Sequence, residues 1–289
     1  MTTSIPKTFD INTKYKLNSG HEIPVLGYGV YQTPASEAES VTQHAFRTGY
    51  RHVDSARAYR NESPVAAAMR ASNLPRSSIF FTSKIPPRDQ TYEAARQSIA
   101  ATFAETGLEY VDLYLIHAPY GGRDGRLGVW RALREAQKEG KVRSIGVSNY
   151  GVHHLTELEE FIREQGDEGA RIDVGQWEVH PWLPRDDIVK WCRERGVVVE
   201  AYSPVVRGTR SEEPVLQEIG KKHGKSWAQV LLRWSLQKGY VPLPKSVTPK
   251  RIEDNADIYD FELDESDMNN LDMPDAYEPC AWDPTTSKD

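Results

Sequence analysis

The sequence predicts an α/β fold, a closed parallel (β/α)8 TIM barrel, and three observations carry that prediction. From Val25 onward, short apolar runs alternate eight times with amphipathic segments, several of which end in glycine, as repeated β-α units do. No GxGxxG follows any strand candidate, so the usual dinucleotide fingerprint of the open, doubly wound alternative is missing. The 289 residues, 38% of them hydrophobic, suffice for one large core, and a barrel of about 250 residues folds as one domain, here spanning 1–289.

Before the repeat, YKLNSGHEIP (15–24) places two short arms around Asn18, Ser19 and Gly20, turn chemistry for a hairpin that plugs one end of the barrel. The first strand is VLGYGV (25–30), and a capping box of Ser36 with Glu39 opens its helix, which closes near Gly49. RHVDSA (51–56) is second, with Ser63 as N-cap and Pro64 at the first helical position. IFFTSK (79–84) is third; Ala95, Ile99 and Phe103 share a helix face before Gly107. VDLYLIH (111–117) leads to a helix with Trp130 and Leu133 that stops near Gly140. SIGVSN (144–149) leads to one through Leu155, Leu158 and Ile162. VGQWEV (174–179) precedes PRDDIVKWCRERG, whose first turn is acidic and last turn basic, as the helix dipole favours. VVVEAYSP (197–204) is followed by the polar loop RGTRSEEP, an extra helical stretch and the helix SWAQVLLRWSLQKG. YVPLPKS (240–246) is the eighth strand and runs into a helix with Lys245 and Arg251 at its mouth. A last short helix, FELDESDMNNLD, and a coil with Cys280 and Trp282 are expected to fold over the barrel mouth.

Composition narrows the function. A net charge of −6 with no dense Lys/Arg run argues against a nucleic-acid partner. Cys192 and Cys280 are the only cysteines, too few for a disulfide framework or a cysteine-based zinc site. With no apolar signal core at the start and no bilayer-length run, the expectation is a cytoplasmic protein without a membrane partner.

Barrel chemistry sits where strands end. Asp54 ends RHVD, Lys84 ends IFFTSK, His117 ends VDLYLIH, and Tyr59 lies in the loop after the second strand. Singly, these read as a helix cap, a snorkelling lysine, a core histidine and a loop aromatic. Together they suit proton donation to a carbonyl oxygen: a phenol with an ordinary pKa near ~10 needs a cation to favour its phenolate, and Lys84, held by Asp54, can supply it. His117 can hydrogen-bond the substrate oxygen. The chain has no GxSxG or HExxH, no cysteine is expected at the rim, and its histidines lack metal-ligand spacing, so no metal is expected. The attacking group should then come from a cofactor. Lys245 and Arg251, after the final strand, could hold a phosphate.

The motifs GYRHVDSARAYRNE, FFTSK, VDLYLIHAP, IGVSN, GQWEVHP, AYSP and LPKSVTPKRIEDN resemble, in this order, those of the aldo-keto reductases, from about Tyr15 to Asn270. The resemblance implies NADPH as cofactor and a small carbonyl compound as substrate. It implies Tyr59 as general acid, tuned by Lys84 and Asp54, with His117 orienting the carbonyl. Ser148, Asn149 and Gln176 would hold the nicotinamide carboxamide, Tyr202 would stack on the ring, and Ser203 would lie along the pyrophosphate. Lys245, Ser246, Thr248 and Arg251 would hold the 2′-phosphate, with Asn255 near the adenine. The substrate pocket is expected around Tyr28, Tyr31, Pro86, Tyr120 and Trp282.

Some positions depart from the family pattern. Pro86, Ala118 and Tyr31 stand where tryptophans are common, which implies a roomier pocket, and Asp254 stands where glutamate is frequent. Val205 and Val206 stand where leucine and glycine are frequent, so the loop after AYSP is expected to close differently. The rival readings are a cofactor-sensing or protein-interaction subunit with slow reductase activity, and physiological alcohol oxidation at the same site. A monomer is the family's common state.

Overall fold

The computed structural model describes residues 5, 6, 8–167 and 169–289; of the polar lead-in, residues 1–4 and Lys7 lie outside the described residues. The hairpin forms where the turn residues place it, from β1 (Lys14–Lys16) and β2 (Glu22–Pro24), with Tyr15 opposite Ile23. Gly20 supplies the left-handed conformation, φ 87°, that the turn requires. The tip is pinned across the barrel floor: Asn18 Nδ2 donates to Ile172 O at 2.8 Å, and Ser19 N donates to Asp173 Oδ1 at 2.6 Å.

Eight parallel strands follow: β3 (Tyr28–Gly29), β4 (His52–Asp54), β5 (Phe80–Ile85), β6 (Val111–Ile116), β7 (Val142–Ser148), β8 (Val174–Glu178), β9 (Val198–Tyr202) and β10 (Val241–Leu243). Each pairs with its sequence neighbour. The first and last meet through Gly27 N to Pro242 O (3.1 Å), Gly29 N to Pro244 O (3.0 Å) and a parallel bridge between Gly29 and Lys245, closing the barrel.

The helices are α1 (Ala35–Thr48), α2 (Glu62–Ala71), α3 (Tyr92–Thr106), α4 (Gly122–Lys138), α5 (Val152–Glu164), α6 (Asp186–Glu194), α7 (Pro214–His223), α8 (Trp227–Gln237), α9 (Pro249–Ala256) and α10 (Glu265–Leu271). The extra stretch is α7 and the tail helix is α10. Two helix starts differ from the sequence reading. Pro34 caps α1, its carbonyl taking the amides of Glu37 and Ala38, so Ser36 is already inside the helix and forms no capping box. In α2 the N-cap is Asn61, not Ser63, and Pro64 is the third helical residue. Asn61 sets that entry because its side chain reaches back to Val30 O and Thr33 O and accepts from Ser55 Oγ.

Alternation along the strands divides the core. Val53 and Trp177 are fully buried apolar residues between polar neighbours, and polar side chains meet one another inside the barrel: His52 and Asp54 on β4, Thr82 and Lys84 on β5, Gln176 on β8 and Glu200 on β9. Among the described residues, no helix is long and apolar enough to cross a membrane.

Candidate active site

The three strand-end residues and Tyr59 converge. Lys84 is fully buried, and its Nζ donates to Asp54 Oδ1 (2.7 Å), Asp54 Oδ2 (2.8 Å) and Ser55 O (2.8 Å). Tyr59 closes a short helical turn, Arg57–Tyr59, ended by Arg60 in the left-handed region at φ 59°. Its ring lies 5.1 Å from Lys84 Nζ and 5.6 Å, edge to face, from the His117 ring.

Protonation follows from burial and charge. Desolvation pushes the Tyr59 phenol well above its ordinary value, and Asp54 and Tyr31 act in the same direction. The sequence reading gave Lys84 the opposite effect. In the resting site burial is the larger effect, and the phenol keeps its proton with the Lys84 ammonium 5.1 Å from its ring. Burial, then the Lys84 charge, push His117 down to about 3, so the imidazole is neutral near pH 7. Its Nδ1 is buried and has no hydrogen-bond partner among the described residues.

A second group joins the first from β7, β8 and β9. Asn149 Nδ2 donates to His117 O and Ser148 Oγ, both at 3.0 Å; Ser148 Oγ donates to Gln176 O at 2.9 Å; Tyr202 OH donates to Asn149 Oδ1 at 2.8 Å. Gln176 Nε2 donates to Asp54 Oδ2 and to Glu200 Oε2, both at 2.8 Å. With both amide protons spent on carboxyl groups, its Oε1 is the polar atom left for a ligand. Asn149 (φ 62°), Ser203 (φ 48°), Val206 (φ 49°) and Arg207 (φ 51°) all occupy the left-handed region. For β-branched Val206, that is a strained conformation in the loop where the sequence replaces the family's frequent glycine.

The third group surrounds the start of α9. Thr248 caps the helix, its amide donating to Ser246 Oγ at 3.0 Å, while Lys245 and Arg251 are exposed and Asn255 is buried. Neighbouring acids are engaged elsewhere: Glu253 with His44, Asp254 with Lys250, Asp257 and Asp260 with Lys225. That leaves both cations without a carboxylate partner among the described residues.

Four of the five expected pocket residues lie around the mouth. Tyr31 packs 5.0 Å from the Tyr59 ring, Trp282 lies 6.2 Å from His117 and 5.9 Å from Tyr120, and Pro86 follows β5 as a buried residue. The C-terminal coil therefore covers the mouth as expected. Tyr28 is a correction. It is 1% exposed, donates to Ser246 O at 2.6 Å and packs on Tyr50, whose hydroxyl reaches Ile252 O of α9, so it belongs to the helix-facing core.

The coil's anchors escaped the sequence reading. Glu178 accepts from Cys280 N (2.7 Å), Ala281 N (3.0 Å) and His180 Nε2 (2.8 Å), and Arg185 Nη1 donates to Asp283 Oδ2 (2.9 Å) and Thr285 Oγ1 (3.1 Å). Cys280 thus does sit at the rim, contrary to expectation, and possible ligand atoms of Glu178, His180 and Cys280 lie within 4.8 Å of one another. Here they act as a latch: burial and the Glu178 carboxylate push the Cys280 thiol up to about 12, leaving it a poor nucleophile. Glu178 and Glu200 were visible as the single acids of their strands, a costly placement that signals a buried partner.

Against known families, residues 25–275 match the model of the Aldo/keto reductase family. The chain belongs to that family. Among relatives of this aldo/keto reductase, the glyoxal reductase of Bacillus subtilis is 42% identical over 258 residues, covering 89% of this chain and 91% of the relative. An uncharacterized oxidoreductase of Saccharomyces cerevisiae is 40% identical, covering 94% of this chain and 97% of its own. The crystal structure of an aldo/keto reductase from Brucella melitensis, 39% identical, superposes with a TM-score of 0.84 over 94% of this chain and 98% of that one. The barrel and the oxidoreductase family are thereby shown.

Proposed function

We propose that this oxidoreductase reduces the carbonyl group of a small aldehyde or ketone, with NADPH as hydride source and Tyr59 as proton donor. The observation that carries the reading is the convergence of a protonated phenol, a neutral imidazole and a buried lysine-carboxylate pair on one rim. The nicotinamide supplies the hydride when bound. The polar groups fit that cofactor: Gln176 offers a single orientable acceptor, Ser148 and Asn149 flank it, the half-buried Tyr202 ring can stack, and Ser203 lies at the strained turn beside it. Lys245 and Arg251, with Ser246 and Thr248 at the helix start, fit a 2′-phosphate because they are charged, exposed and not spent on acids.

The chain's own part in the chemistry follows from its protonation states. His117 can donate a hydrogen bond to the carbonyl oxygen without being charged, which polarises the carbonyl and fixes its orientation. Tyr59 gives its proton to that oxygen as negative charge develops there. Lys84, 5.1 Å from the Tyr59 ring, stabilises the phenolate left behind, and Asp54 holds the Lys84 side chain in place through two hydrogen bonds. Tyr31, Tyr120 and Trp282 exclude water with their rings while tolerating varied substrate shapes. The glyoxal reductase relative supports a small carbonyl substrate. A test is NADPH consumption with a panel of small aldehydes and ketones. Carbonyl-dependent consumption is expected, and NADPH binding with no consumption for any carbonyl would contradict the proposal.

A further inference from the structure

We infer that Glu200 is a positioning residue of this site: a neutral carboxylic acid that locks the Gln176 amide, and whose ionisation sets the alkaline limit of turnover. The inference rests on the reductase reading. Its basis is the shortage of positive charge in the barrel interior. Asp54 takes two of the three hydrogen bonds of Lys84, and Ser55 O takes the third. Glu200, fully buried, receives none of them. Instead one amide nitrogen, Gln176 Nε2, is shared between Asp54 Oδ2 and Glu200 Oε2, each at 2.8 Å. Two carboxylates so joined, with one ammonium between them, favour a state in which one carboxyl keeps its proton, and Glu200 is the one without a cation.

The surroundings have a place for that proton. Oε2 accepts from Gln176, which leaves the proton to Oε1, an atom with no hydrogen-bond partner among the described residues and 3.4 Å from His52 Nε2. Burial and the Lys84 charge push His52 down to about 3, so its ring, whose Nε2 pairs with Thr82 Oγ1 at 3.1 Å, is neutral and brings no cation to Glu200. The ring is held in place: it meets Phe80 edge-on at 4.9 Å, and a Cβ at Gly27 would come within 2.7 Å of its Nδ1. The ionisable groups facing Glu200 are His52 and Asp54 from β4 and Lys84 from β5. β8 presents the non-ionising Gln176, and β10 brings only Val241, Pro242 and Leu243. Burial and Asp54 push Glu200 up to about 8, against the weaker opposite pull of Gln176 and Lys84.

Ionisation above that point adds a second negative charge beneath the Asp54–Lys84 pair. It opposes the phenolate that forms as Tyr59 gives up its proton, and it draws the Gln176 amide more strongly toward Glu200 and away from Asp54. Turnover should fall by roughly 3- to 10-fold, the equivalent of up to one unit in the Tyr59 pKa. Because the folded-state value is raised, folding favours the protonated acid, so wild-type stability falls as pH rises from the ordinary carboxyl range to about 8.

Glu200→Gln keeps the amide's acceptor and cannot ionise. The experiment is the pH profile of kcat for wild type and Glu200→Gln, paired with infrared titration of the wild type for the C=O stretch of a protonated carboxylic acid. The expected result is an alkaline fall near pH 8 in the wild type that disappears in the variant, with an infrared band lost over the same range and absent from the variant. The infrared arm needs no foldable variant. An unchanged alkaline fall in a turning-over Glu200→Gln, or no such band in the wild type, overturns the inference alone. A wild type that reduces no carbonyl overturns the reductase reading as well.

Discussion

Lys84 offers a direct energetic test of how the rim is assembled. Its side chain is fully buried, and two of its three hydrogen bonds are the main compensation for an Asp54 carboxylate that is only 5% exposed. Lys84→Met replaces the stem with one of similar length but leaves Asp54 charged and buried, with Gln176 Nε2 as its remaining donor. Removing one partner of a buried pair costs about 3–5 kcal/mol, most of it the penalty of the stranded charge. At ~2–4 °C per kcal/mol, that lowers the melting temperature by roughly 6–20 °C. Asp54→Asn added to Lys84→Met removes the charge, still accepts from Gln176 and can donate to Ser55 O, so the double variant should recover at least about 2 kcal/mol of the loss. The assay is urea unfolding of the wild type, both single variants and the double variant, read as a thermodynamic cycle. A Lys84→Met variant destabilised by less than about 1 kcal/mol, or a double variant no better than it, would refute the stranded-charge argument.

Other sites give independent tests. Arg251→Ala should weaken NADPH by about 10- to 100-fold, the worth of a charge-assisted contact, and leave NADH nearly untouched; equal losses for both would remove the 2′-phosphate role. Trp282→Ala, at a side chain 43% exposed, should change carbonyl KM and substrate preference while stability stays within about 0.5 kcal/mol and cofactor affinity is unchanged. Arg185→Met should release the C-terminal coil, seen as lost hydrogen-exchange protection at Thr285 and a higher carbonyl KM; intact protection would show that the Asp283 clamp is not what holds it.

The barrel was legible because its signal is repetitive: eight apolar runs each bury both faces, and no single misread boundary changes their count. Helix starts were less legible because competing caps lie within two residues of one another. At α1 the Pro34 carbonyl takes the bonds that Ser36 was expected to organise, and at α2 Asn61 is chosen by contacts with Val30 and Thr33 across the chain. The rim residues were legible because ionisable side chains at strand ends are chemically unusual. Tyr28 was misplaced because a two-residue strand gives no alternation from which to read its facing. Glu178 and Glu200 leave a signal as lone acids within buried strands, but what each holds, the Cys280 amide for Glu178 and the Gln176 amide for Glu200, is a contact no local pattern encodes.

The central claim, that Tyr59 delivers the proton in carbonyl reduction, is tested most directly by Tyr59→Phe. NADPH consumption with a reactive small aldehyde should fall by about 10²- to 10⁴-fold relative to wild type, the usual contribution of a positioned proton donor, with NADPH affinity unchanged. Equal turnover by the two proteins at equal NADPH affinity would contradict the account.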